Sequence, residues 1–222
     1  MKLLKKLFVK FCAYMVLTML VMLLSAYVTA NWLFDFLGDV FGGSGLGVWL
    51  VLVMAGAVSA FFVRKKIWTV SSSSAVILAV LYPAVTGFTF SPAFLGYSGR
   101  TIIQVTAPVL MMFGFSGVYS ELKGDENFAV MLGAGAVSAL AVKILAGTSW
   151  AACFMSVIGC MIMIFFSAWN SGRAHSAKSE AAALKWAVSV YVGLLMLLAF
   201  WVMIWGTWDT TKRRYDKMLK NH

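Results

Sequence analysis

The chain has 222 residues, 62% of them hydrophobic and 12% charged, with a net charge of +10 and a mean hydropathy of +0.89. A soluble domain carries about twice that charged fraction, so a water-soluble globule is excluded and the positive charge belongs at membrane surfaces rather than on nucleic acid. Cys12, Cys153 and Cys160 all sit in apolar runs without CxxC spacing, which indicates neither a disulfide framework nor a zinc site.

The N-terminus, "MKLLKKLFVK", is basic, and a long apolar run follows from Phe11 to Ala30. Val28-Thr29-Ala30 resembles a signal-peptidase site, but the run exceeds the usual signal core of about 7–15 residues. It reads as helix one. The loop "NWLFDFLGDVFGGSGLG" carries two acids and several glycines, bracketed by Trp32 and Trp49 as interfacial anchors. Helix two is expected over Val48–Val63 and stops at Arg64-Lys65-Lys66. Ser71 to Ser74 form a polar helix start, not a phosphate cradle. Helix three is expected over Val70–Phe90 and helix four over Thr101–Ser120, ahead of "ELKGDEN". Helix five is expected over Phe128–Leu145 and helix six over Trp150–Trp169, followed by a polar loop, "NSGRAHSAKSE". Helix seven is expected over Leu184–Gly206. Runs of about 20 apolar residues are long enough to cross a bilayer. The expected architecture is one all-α integral membrane domain over residues 1–222, with about seven crossings and a basic tail at 207–222.

Lys and Arg set the orientation. With the N-terminus cytoplasmic, Lys2, Lys5, Lys6, Lys10, Arg64, Lys65, Lys66, Lys123, Arg173, Lys178 and Lys185 fall inside, while the outer loops hold Arg100. Lys143 lies near the outer end of helix five and is expected to snorkel. Seven crossings place the tail cations outside, against the rule. In the tail, Lys212, Arg213, Arg214 and Lys217 are candidate contacts for anionic lipid head groups or an acidic partner. Small residues suit close helix packing in lipid. They nominate Ala55, Gly56, Ser59 and Ala60 on helix two, and Ala129, Gly133, Ala136 and Ala139 on helix five.

The stretch "YPAVTGFTFSP" places helix breakers among hydroxyls inside an apolar run. Pro83 is expected to kink helix three, with Thr86 one turn later to re-satisfy freed backbone groups. Gly87 allows close approach, and Ser91-Pro92 is expected to end the helix. The segment from Ala79 to Phe128, with Gly87, Phe88, Ser91, Pro92, Thr106, Ala107, Tyr119 and Ser120, resembles the Bax inhibitor family of membrane proteins. Near the end, Ser189-Val190-Tyr191-Val192-Gly193 resembles the core of that family's last helix. The likeness covers about residues 15 to 206. It implies six helices around a central seventh. It also implies either a pH-sensitive calcium leak or modulation of a membrane protease in a bacterial inner membrane.

In that family the leak depends on two aspartates, on helices six and seven. Here every acid, Asp35, Asp39, Glu121, Asp125, Glu126, Glu180, Asp209 and Asp216, lies in a loop or the tail. Gly193 stands at the family's acidic position on helix seven, and "SAWNS" occupies the expected place on helix six. Two carboxylates sharing a site split their pKa values and can gate a cation by protonation, and calcium favours carboxylate oxygens. Ser167, Asn170, Ser171, Ser189 and Gly193 therefore remain as neutral candidates for polar pore or helix-core positions. His175 reads as a solvated loop histidine. No HExxH, GxSxG or Walker loop is present, and no helix-embedded base could activate a serine, so no enzyme and no cofactor is expected. The expectation is an inner-membrane, Bax-inhibitor-like protein that binds or regulates other membrane proteins, as a protease or complex modulator, with little or no pH-gated ion leak. The alternatives are a pH-sensitive cation leak channel and an integral subunit of a secretion, conjugation or protease assembly.

Overall fold

In lipid, each backbone N–H and C=O needs a partner within the protein, and an apolar run supplies it by forming a helix. The computed structural model describes residues 2–29, 31, 45–96, 99–123, 127–177 and 181–193. Among these are seven helices and no strand: α1 Lys2–Val28, α2 Gly45–Lys66, α3 Ser72–Gly96, α4 Gly99–Lys123, α5 Phe128–Ala146, α6 Trp150–Ser176 and α7 Ala182–Gly193. α1, α3, α4, α5 and α6 each contain a stretch long and apolar enough to cross a membrane. The chain is an all-α multi-pass membrane protein.

Polar residues at the helix starts capture backbone donors that have no partner within the helix. Asn127 Oδ1 accepts from the amides of Ala129 and Val130 at 3.0 and 3.1 Å and opens α5. Ser149 accepts from Ala152 N at 3.1 Å and opens α6. Ser71 accepts from Ser74 N at 3.2 Å, which makes the serine run a helix start. α5 closes on Gly147 at φ 63, the left-handed conformation that glycine adopts without steric cost.

α1 packs between α3 and α4, and α5 packs against α4 and α6. Every described residue of α7, with Ala181 before it, is buried. Trp186 stacks on Phe11 of α1 with ring centroids 4.0 Å apart. Val188 and Val192 share a cluster with Ala60 of α2 and with Ala75 and Ala79 of α3. α7 is thus the central helix of the bundle. α1 is a full member of that core: Phe8, Phe11, Cys12 and Met15 are almost wholly buried.

Several boundaries differ from the sequence reading. α1 begins at Lys2, not Phe11, because its Lys and Leu residues are good helix formers. α3 runs on to Gly96, past Ser91-Pro92. The reason is local: Pro92 cannot donate to the carbonyl of Phe88, and the Ser91 hydroxyl donates to it instead, at 2.8 Å. α6 continues to Ser176, so "NSGRAHS" is helical and not a loop. His175 is consequently half-buried on its last turn, with its ring 5.9 Å from that of Trp186. On α5 the packed line is Met131, Gly135 and Ala139; Ala129 and Gly133 face outward. On α2, Ala60 is buried, while Ala55 and Ser59 are exposed.

Candidate functional site

The buried polar residues of α6 lie on one stripe. Cys153, Ser156, Cys160, Met163, Ser167, Asn170 and Ala174 are buried and alternate at spacings of three and four, the pattern of a helix-packing seam. Cys160 fits against Gly135 of α5, where an added Cβ would come within 2.9 Å of its sulfur. That contact is packing between small side chains.

Ser167, Asn170 and Ser189 meet where α6 faces α7, and each is 1% exposed or less. The Ser167 hydroxyl donates to the Met163 carbonyl at 2.7 Å, and the Ser167 carbonyl accepts from the Trp186 indole at 3.0 Å. Asn170 donates through Nδ2 to the Phe166 carbonyl at 2.8 Å, and its Oδ1 accepts from the Ser189 hydroxyl at 3.0 Å. Every contact here is neutral, and each hydroxyl proton is directed at a protein acceptor. Such bonds fix the register of two helices. Gly193 is a packing position: an added Cβ would stand 3.2 Å from the Phe166 ring. Ser171 does not join this group. It is half-exposed and donates to the Ala168 carbonyl at 2.7 Å.

The proline-bearing stretch also proves to be a contact region. A Cβ at Gly87 would overlap the Met22 carbonyl and come within 2.8 Å of Ser25 Cβ, so α1 and α3 meet there backbone to backbone. Ser25 donates across the same contact to the Ala84 carbonyl at 2.6 Å. Gly87 is therefore a fixed close approach. Thr86 donates to the carbonyls of Tyr82 and Pro83, both at 3.0 Å. The carbonyl that Pro83 itself leaves without a helix donor is that of Ala79, so Thr86 does not perform the repair expected of it. With its proton so engaged, the Thr86 oxygen accepts from the Tyr191 hydroxyl and ties α3 to α7. The side chain of Pro92, and the tail with Lys212, Arg213, Arg214 and Lys217, lie outside the described residues.

Three further polar clusters escaped the sequence reading. Pro108 lies inside α4 and cannot donate to the carbonyl of Gln104. Ser156 of α6 donates to that carbonyl at 2.7 Å. The fully buried Gln104 side chain donates to the Ala139 carbonyl of α5 at 3.0 Å and accepts from the Thr148 hydroxyl. One residue thus joins α4, α5 and the α5–α6 turn. A glutamine in an apolar run was the available signal. At the other end of the bundle, Lys185 of α7 donates to the Val70 carbonyl at 2.6 Å, in the α2–α3 turn. Finally, Tyr82 of α3 donates to the Gly56 carbonyl of α2 at 3.0 Å. Lys143 Nζ lies 3.7 Å from the Trp150 ring centroid, a cation–π contact between the end of α5 and the start of α6.

Among the described residues, no group of three or more His, Cys, Asp or Glu side chains comes together. Comparisons with protein-family models, curated proteins and solved structures give no match to the chain.

Proposed function

We propose that this chain is a bacterial inner-membrane protein akin to the Bax inhibitor family that binds and regulates another membrane protein, with no pH-gated calcium leak. The observation that carries this reading is the α6–α7 interface. Where that family places its acidic pair, this chain has Ser167, Asn170 and Ser189 bonded to one another or to backbone, and Gly193 closed by the Phe166 ring. A proton gate needs a group that changes charge near neutral pH. At the place of the acidic pair the α6–α7 interface offers hydroxyls and an amide, which do not; His175 lies apart from them, at the end of the interface against the Trp186 ring.

The N-terminus is cytoplasmic in this reading. Lys6, Lys10, Arg64, Lys65, Lys66, Lys123, Arg173 and Lys185 belong to one end of the bundle, whereas Lys143 belongs to the other. The positive-inside rule assigns the first end to the cytoplasm. Regulation by contact needs a partner, and the test is native purification of the full chain in mild detergent. A stoichiometric co-purifying membrane protein is the expected result. A lone monomer, with nothing recovered by crosslinking in the intact membrane, would refute the proposal.

A further inference from the structure

Arg64 sits unusually for a cation at a helix end. It is half-buried, and its guanidinium carbon lies 5.0 Å from the centroid of the Phe166 ring. α2 and α6 therefore approach each other at this point. Among the described residues Arg64 forms no ion pair, and its side-chain N–H groups meet no acceptor. A guanidinium stacked on a ring keeps its in-plane donor fork free for an anion.

The walls of this seam are apolar and exposed. Phe61 precedes Arg64 by three residues on α2 and shares its face. On α6, the Phe165 and Trp169 rings lie 5.7 Å apart. Phe61, Phe165 and Trp169 are 55%, 57% and 61% exposed. Lys65 is exposed beside Arg64, and Arg173 lies farther along the stripe of α6 that carries Phe166. Cations at the base of two aromatic-faced helices match a molecule with an anionic head and an apolar body.

We propose that the α2–α6 seam is a binding site for an anionic phospholipid of the leaflet facing the basic end of the bundle. Arg64 holds the phosphodiester through its donor fork, Lys65 adds charge, and an acyl chain lies along Phe61 and Phe165. An acidic peptide would meet the charge but would leave these rings uncovered, whereas a phospholipid covers both. Basic sites between membrane helices are a recurring mode of head-group binding. The site is separate from the basic tail and does not depend on the family reading.

The test is native mass spectrometry of the detergent-purified full chain, titrated with phosphatidylglycerol or with phosphatidylcholine. The wild type is expected to retain phosphatidylglycerol in preference. Arg64→Ala is expected to weaken that retention about tenfold, as loss of a charge-assisted bond implies. Lys65→Ala, at an exposed position whose loss leaves the bundle folded, is expected to weaken it about fivefold. Lys143→Ala, at the opposite end, should retain the lipid fully. Equal retention of the two lipids, or undiminished retention in Lys65→Ala together with a folded Arg64→Ala, would overturn the proposal. So would displacement by millimolar inorganic phosphate, or a polyglutamate peptide bound through Arg64 in place of the lipid.

Discussion

Ser156 on α6 shares its hydroxyl proton between the carbonyl of Gln104 on α4, at 2.7 Å, and the Ala152 carbonyl of its own helix, at 2.8 Å. That carbonyl lies four residues before Pro108 and has lost its helix donor to the proline ring. A defect within one helix is thereby turned into a bond between two. Ser156→Ala should leave the carbonyl without a donor and lower stability by about 1–2 kcal/mol. Adding Pro108→Ala should recover most of the loss, because an alanine amide can donate to Gln104. Denaturant unfolding in detergent, run as a double-mutant cycle, checks this. Strict additivity of the two changes would contradict it.

Gly87 and Gly133 provide a matched pair. A side chain at Gly87 would collide with the backbone of α1, while nothing lies within 4 Å of a Cβ at Gly133. Gly87→Ala should cost roughly 1–3 kcal/mol by overpacking, or abolish recovery of folded protein. Gly133→Ala should be neutral or stabilising by up to about 1 kcal/mol, since alanine is the better helix former. Thermal unfolding of the two variants side by side is the measurement.

The Ser189–Asn170 bond is a buried contact between neutral partners. A double-mutant cycle with Ser189→Ala and Asn170→Ala should give a coupling of about 0.6 kcal/mol, with about 1.7 as a ceiling, the range of such bonds between membrane helices. The stability of the wild type should not vary with this pair between mildly acidic and mildly basic pH, because neither side chain titrates there.

Lys185 links the central helix to the α2–α3 turn through the Val70 carbonyl. Lys185→Met retains much of the length and removes the donor. Hydrogen exchange should then accelerate in the turn from Ile67 to Ser71, with stability lower by about 1–3 kcal/mol. Exchange confined to its wild-type rate would show that the bond does not hold the turn.

How much of this was legible in the sequence depended on the kind of signal. Runs of apolar residues, broken by charge, glycine, proline or hydroxyls, marked all seven helices, because lipid demands such runs. Gly87 was legible as a contact because a glycine within an apolar run has few other uses. Boundaries were less legible where hydroxyls repair a break: Ser91 carries α3 past Pro92, and nothing in "FSPAF" alone states that its hydroxyl will turn back on the helix. The packing face of α5 was legible only in part, at Ala139, because almost every position is small or apolar and contacts from other helices, such as Cys160 against Gly135, select the face. Ser167, Asn170 and Ser189 were identified as interior polar positions, but their partners were not. Bonds between helices depend on rotation about each axis, and one chain's spacing does not specify it. Ser171 was drawn in by proximity in sequence and lies off the stripe.

In the proposed function the α6–α7 interface packs the bundle and does not conduct. The most direct measurement is calcium flux through the full chain reconstituted in liposomes, followed between about pH 6 and pH 8, the range of a proton-gated site. Flux no greater than that of protein-free liposomes, and unchanged with pH, is the expected result. A robust calcium flux that switches with pH would contradict the account and make this interface a pathway.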